Sequence, residues 1–88
     1  SFTESVDPFV LKDLQQEIDR QIETLPTRMQ EVIRLKIKDS LSISEIAARL
    51  NISEDTVKNH LAAARSRLRS SLGDVAYFIL VITLSSAS

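Results

Sequence analysis

Between Ser53 and Arg69 the sequence SEDTVKNHLAAARSRLR carries four cations, Lys58, Arg65, Arg67 and Arg69, with no acid after Asp55 until Asp74. Side chains of these types suit one kind of chemistry, the recognition of a polyanion. Lysine and arginine displace condensed counterions from a nucleic-acid backbone. The Asn59 carboxamide can bond adenine bidentately, and the carboxylate of Glu54 or Asp55 can accept from cytosine N4. Catalysis is poorly served: the chain has no Gly-rich phosphate loop, no metal-ligand spacing and no Ser/His/Asp pattern. An enzyme is therefore not expected, nor a cofactor. His60, with no carboxylate or nucleophile at a motif spacing, reads as a surface or phosphate-facing side chain.

The formal charge of the 88 residues is −1 and the pI about 5.7, which at first sight opposes a polyanionic partner. The charge is segregated, however. Residues 1–31 are net −4, residues 32–71 net +4, and residues 72–88 add only Asp74. Binding to phosphate depends on the local field and on counterion release at the contact, so an acidic total does not exclude DNA. The plainer reading is that the arginines complement a helix dipole and solubilise a surface.

These residues need a scaffold, and one Gly and two Pro with apolar spacings of three and four predict an all-helical one. Asp7-Pro8 reads as an N-cap followed by Pro at the first helical position. The helix it opens puts Leu11, Leu14, Ile18, Ile22 and Leu25 on a stripe about 80° wide. Pro26 ends it and opens a second helix over about 26–38, with Met29, Val32, Ile33 and Ile37 as its apolar surface. Asp39-Ser40-Leu41 is a break. Ser42-Ile43-Ser44-Glu45 has the capping-box pattern, which predicts a short helix over about 43–50 ending at Asn51, a residue that tolerates a left-handed backbone. Ser53 caps the next helix, with Glu54 and Asp55 in its first turn, and Gly73 is expected to close it near residue 72. Ala47 at the crossing, Asn51 in the turn, and Ile52, Val57 and Leu61 as an apolar lock give the helix-turn-helix pattern.

At 100° per residue, Val57, Leu61, Ala64 and Leu68 fall on the core face of the long helix, and Asp55, Asn59, Ala62 and Ser66 lie opposite. Lys58, Arg69, Glu54 and Arg65 edge one side of that outer strip; Thr56, Ala63, His60 and Arg67 edge the other. Small and short polar residues bordered by cations fit a major groove. Ala62 lets the backbone approach, Asn59 and an acid of the first turn face base edges, and the cations fix register on phosphates. Ser42 and Ser44 start a helix that can lend N–H groups to the DNA backbone. The expected DNA-binding set is thus Ser42, Ser44, Ser53, Glu54, Asp55, Thr56, Lys58, Asn59, His60, Ala62, Arg65 and Arg67. Glu54, Asp55 and the serines have a simpler alternative as dipole complements and caps.

The final run VAYFILVITL, residues 75–84, is too short for a bilayer, which needs roughly 17–25 apolar residues. It also lacks the flanking cations and polar face of a membrane-surface helix. A fifth helix after Asp74 is expected, buried on the stripe of the first helix or against a partner. In the latter case the chain would pair with a copy of itself through residues 75–84. The organisation is then an N-terminal tail over 1–8, a helix-turn-helix domain over 9–73 and an apolar tail over 74–88. The absence of cysteine leaves a reducing compartment unopposed, and a start at Ser1 rather than Met suggests a partial or processed chain.

From Leu25 to Arg69 the chain resembles region 4 of bacterial RNA polymerase sigma factors, especially the extracytoplasmic-function group. The likeness is carried by Leu25-Pro26, by EVIRLKIKDSLSISEIAARLNIS at 31–53 and by TVKNHLAAARSRLR at 56–69. The leading Leu-Pro and the ending from Ala64 to Arg69 favour sigma factors over the related response-regulator output domains. The resemblance implies a cytoplasmic, non-enzymatic four-helix domain whose last helix enters the major groove of the minus-35 promoter element. It also implies a contact with the flap of the polymerase β subunit and a possible anti-sigma partner. By position, Ser53, Glu54, Asp55, Lys58 and Asn59 fall where the family contacts bases and phosphates. Ser40 and Asn51 stand where the family often has Gly, so positive φ is expected at one or both. Region 2 of the family is absent, and this chain alone is not expected to initiate transcription. A response-regulator output domain and a protein-interaction module of the same fold are the alternative readings.

Overall fold

Asp7 and Pro8 open the first helix, α1 (Pro8–Ile22), as their types dictate. The Asp7 carboxylate accepts from the Phe9 N–H at 2.9 Å, and Pro8 at the first position lacks an N–H that would find no acceptor there. The computed structural model describes residues 7–86, with Ser86 as backbone alone; positions 1–6 of the expected tail lie outside the described residues. On α1, Ile18 and Ile22 are buried, and so is Leu25 just beyond it. Leu11 and Leu14 are half-buried against the same cluster. Gln30 ties the end of α1 to the next helix, its carboxamide donating to the carbonyls of Glu23 at 3.1 Å and Leu25 at 2.9 Å.

Pro26 is the N-cap of α2 (Thr27–Ile37), with φ −53°. Met29, Val32 and Ile33 bury against the core while Ile37 is half-buried. Two left-handed residues then shape the centre of the domain: Ser40 at φ 54° and Asn51 at φ 56°. At the first, the Leu41 N–H donates to the Leu35 carbonyl at 3.2 Å; at the second, the Ile52 N–H donates to the Ala47 carbonyl at 3.0 Å. The second closure is the six-to-one bond of a Schellman turn, made to a carbonyl that also accepts the Asn51 N–H. A β-branched side chain is poorly tolerated at such a φ. Asn51→Val is expected to cost about 1–2 kcal/mol in a urea melt, whereas Asn51→Gly stays near the parent stability. Equal midpoints for all three proteins would show that the turn adapts.

Between these turns lies α3 (Ile43–Leu50), started by a complete capping box. The Glu45 N–H donates to the Ser42 hydroxyl at 3.1 Å and the Ser42 N–H to the Glu45 carboxylate at 2.9 Å. The Ser42 backbone N–H, and then its side chain, hold the Glu45 carboxyl below its ordinary value. A carboxyl held low in the folded state contributes stability that is complete above the unfolded pKa, about 4.3. That contribution is lost as pH falls through the folded value. Glu45→Gln keeps the capping geometry without titrating. The difference in thermal midpoint between the parent and this variant is therefore expected to shrink as pH is lowered from about 6 to about 3, and a constant difference would place the acid sensitivity elsewhere.

The long helix α4 (Glu54–Ser71) packs on α2 and α3 through Val57, Leu61, Ala64 and Leu68, all buried. It ends one residue before the expected point and not through Gly73. Leu72 leaves the helix in an extended conformation, φ −93° and ψ 149°, and buries its side chain in the core. Gly73 has no positive φ, and a Cβ there would meet nothing within 4 Å. Its carbonyl instead accepts the Tyr77 N–H at 2.9 Å, opening α5 (Asp74–Ser86). Burial of a leucine, rather than the freedom of a glycine, makes this turn.

The apolar run over 75–84 forms that fifth helix and packs chiefly on α1. Ala76, Ile79, Leu80 and Leu84 enter the core, and Val75, Phe78 and Ile82 remain exposed. All described elements are helices, and none is long and apolar enough to cross a membrane.

Candidate nucleic-acid interface

Ser53 sets the start of the exposed helix face. Its hydroxyl accepts from the Thr56 N–H at 3.0 Å and lies 2.8 Å from the Thr56 hydroxyl. This cap, worth about 1 kcal/mol, fixes the rotation of the first turn and hence which residues of α4 face outward. With Val57, Leu61, Ala64 and Leu68 held inward, Asp55, Asn59, Ala62 and Ser66 are all exposed. The strip drawn from the sequence is open to solvent.

The flanks follow the same projection. Glu54, Lys58, Arg65, Arg67 and Arg69 are exposed, while Thr56, His60 and Ala63 are half-buried. Ser42 is half-buried and occupied by its capping box; Ser44 is exposed beside it in the first turn of α3. The expected residues thus divide into a continuous face of α4, from Ser53 to Arg67, and a separate pair at the start of α3.

The ion pairs lie away from this face. Among the described residues the ion pairs are Arg20–Glu17, Arg28–Glu31 and Lys38–Asp19, the last at 3.2 Å. Each involves α1, α2 or the residues flanking them. The Arg20 guanidinium holds the Glu17 carboxyl below its ordinary value, and Glu17 in turn raises Arg20. Lys58, Arg65 and Arg67 enter no ion pair among the described residues. Arg20, Arg28 and Lys38 are thus paired with acids of α1 and α2, and among the described residues no acid is paired with Lys58, Arg65 or Arg67. Such cations can release DNA counterions without first breaking an internal pair. Glu54 and Asp55 sit in the first turn of α4, where the helix dipole favours negative charge.

One participant was not legible in the sequence. The Arg69 guanidinium lies over the ring of Tyr77 from α5, 5.2 Å from its centroid. Tyr77 stands in a run that is apolar on all sides, so no periodicity marks it as a partner of α4. Among the described residues no group of His, Cys, Asp and Glu could hold a metal ion.

Comparison with known proteins bears on the same segment. Residues 15–68 match the family model described as sigma-70, region 4. The chain is 39% identical over 69 residues to the ECF RNA polymerase sigma factor SigW of Bacillus subtilis, covering 78% of this chain and 37% of that protein. It is also 39% identical over 61 residues to the RNA polymerase sigma factor FliA of Salmonella typhimurium, covering 69% of this chain and 26% of that protein. The chain thus spans well under half the length of these curated relatives. No solved structure gives a significant match.

Proposed function

Because the chain belongs to the sigma-70 region 4 family, we propose that it binds promoter DNA at the minus-35 element, in the cytoplasm, as the region 4 domain of an RNA polymerase sigma factor. The observation that carries this reading is the open strip of α4, Asp55, Asn59, Ala62 and Ser66, bordered by Lys58, Arg65 and Arg67, which enter no ion pair among the described residues. In the major groove Ala62 allows close approach and Asn59 meets a base edge. Glu54 or Asp55 accepts from cytosine, and Lys58, Arg65 and Arg67 lie along the phosphates. At the starts of α3 and α4 the Ser42 and Thr56 N–H groups are held within the caps, and Ser44 and Ser53, with the remaining first-turn N–H groups, turn toward the sugar-phosphate backbone. His60 faces phosphate at the margin.

Membership of the family supports two protein partners in this reading: the core polymerase through its β flap, and an anti-sigma protein. Two copies of this chain would pair through the residual apolar stripe of α5, Val75, Phe78 and Ile82. Monomeric elution at high concentration removes that part of the reading.

The test is a binding selection on random duplex DNA followed by two substitutions. Lys58→Gln is expected to weaken all sequences alike and to lower the salt slope by about one. Asn59→Ala is expected to relax preference at a single base pair, by about 1–3 kcal/mol. A chain that selects no sequence, and is indifferent to both changes, would be a protein-interaction module of this fold.

A further inference from the structure

The contact between Arg69 and Tyr77 joins the last turn of α4 to α5, a helix that packs chiefly on α1. Neither residue falls within the span matched by the family model, which stops at Leu68. We infer that Tyr77 is a positioning residue for DNA binding: it holds the Arg69 guanidinium ready for a phosphate at the distal end of the recognition face. This inference rests on the promoter-binding reading.

Three observations carry it. Arg69 lies eleven residues beyond Lys58, which is about 20° in azimuth and about 16.5 Å along the axis, with Arg65 within about 40° of it on the same edge. The three cations therefore form one row along one side of the strip, the arrangement needed to follow a single sugar-phosphate strand. Next, Arg69 is exposed and makes no ion pair among the described residues, its recorded engagement being the ring. Finally, Tyr77 is a fixed platform. It is half-buried, its neighbour Ala76 and the nearby Ile79 and Leu80 are in the core, and its N–H is bonded to the Gly73 carbonyl.

Physical chemistry supplies the direction of the effect. A cation over a ring uses the ring's π face and leaves the N–H donors at the guanidinium edge available for bidentate bonding to phosphate. A free arginine on a helix end loses its rotamer freedom on binding, whereas one already held by a ring has lost part of it beforehand. The ring thus raises affinity without touching DNA. Because phosphate contacts carry no sequence information, it acts equally on every duplex.

The experiment measures binding of the full chain to a mixed-sequence duplex as a function of salt. Tyr77→Phe keeps the π face, and Tyr77→Leu keeps apolar volume without it. Arg69→Gln is expected to lower the salt slope by about 0.9. Tyr77→Leu is expected to weaken binding roughly threefold to tenfold in the parent and to change nothing in the Arg69→Gln background, while Tyr77→Phe matches the parent. If Tyr77→Leu alters helix content, Tyr77→Met takes its place. A loss of equal size in both backgrounds, a loss with Tyr77→Phe, or tighter binding with Tyr77→Leu would overturn the inference and leave promoter binding standing. Failure of the parent chain to bind any duplex with a negative salt slope would overturn both.

Discussion

Ala62→Glu is expected to reduce duplex binding by about a hundredfold or more while leaving thermal stability nearly unchanged. Ala62 is exposed in the middle of the strip, between Asp55 and Asn59 on one side and Ser66 on the other. A glutamate there adds bulk where the helix backbone must approach base edges. It also sets a carboxylate between two phosphate strands, and like charges brought together at an interface cost several kcal/mol. The folded state loses little, because Glu is a good helix former and exposed substitutions usually fall within about 0.5 kcal/mol. Fluorescence anisotropy with a labelled duplex, alongside a thermal melt, separates the two quantities. Undiminished binding would mean that this face of α4 does not enter the groove, and would return the chain to the interaction-module alternative.

Leu68→Ala is expected to do the converse. Leu68 is fully buried and belongs to the same cluster as Ile22, Val32, Ile33 and Leu80, so it joins α4 to the helices on both sides. Deleting a buried leucine side chain to Ala costs about 2–5 kcal/mol, through lost transfer energy and the cavity left behind. A domain of this size has a modest core, and natural domains hold only about 5–15 kcal/mol in total. The thermal midpoint should fall by about 4–8 °C per kcal/mol lost. Binding should fail only as the fold fails, so that cooling restores it. A variant that melts like the parent would show that the core can close over the missing atoms.

The pair of results would separate two properties that one helix carries on opposite faces. The strip can be changed with little effect on the core, and the core cannot be changed without removing the strip. This follows from α4 being the element on which α2, α3 and α5 all pack.

Much of that arrangement was readable from residue types, because the interactions that set it are local. The capping box at Ser42 and Glu45, the cap at Ser53 and the left-handed turn at Asn51 each join residues at most five apart, and all are present. The exposed strip follows from those caps and from the helical period, so the candidate interface from Ser53 to Arg67 was legible before any coordinates. Two things were not. Leu72 rather than Gly73 makes the last turn, because the decision lies with a buried side chain whose site is built by distant helices. The 75–84 segment, apolar throughout, has no periodicity to say which face turns inward. Only packing on α1 selected Ala76, Ile79, Leu80 and Leu84 for the core, and with that rotation placed Tyr77 beneath Arg69. Contacts between residues close along the chain are encoded by their spacing. Contacts between helices depend on which surface is left to cover, and that exists only once the others have folded.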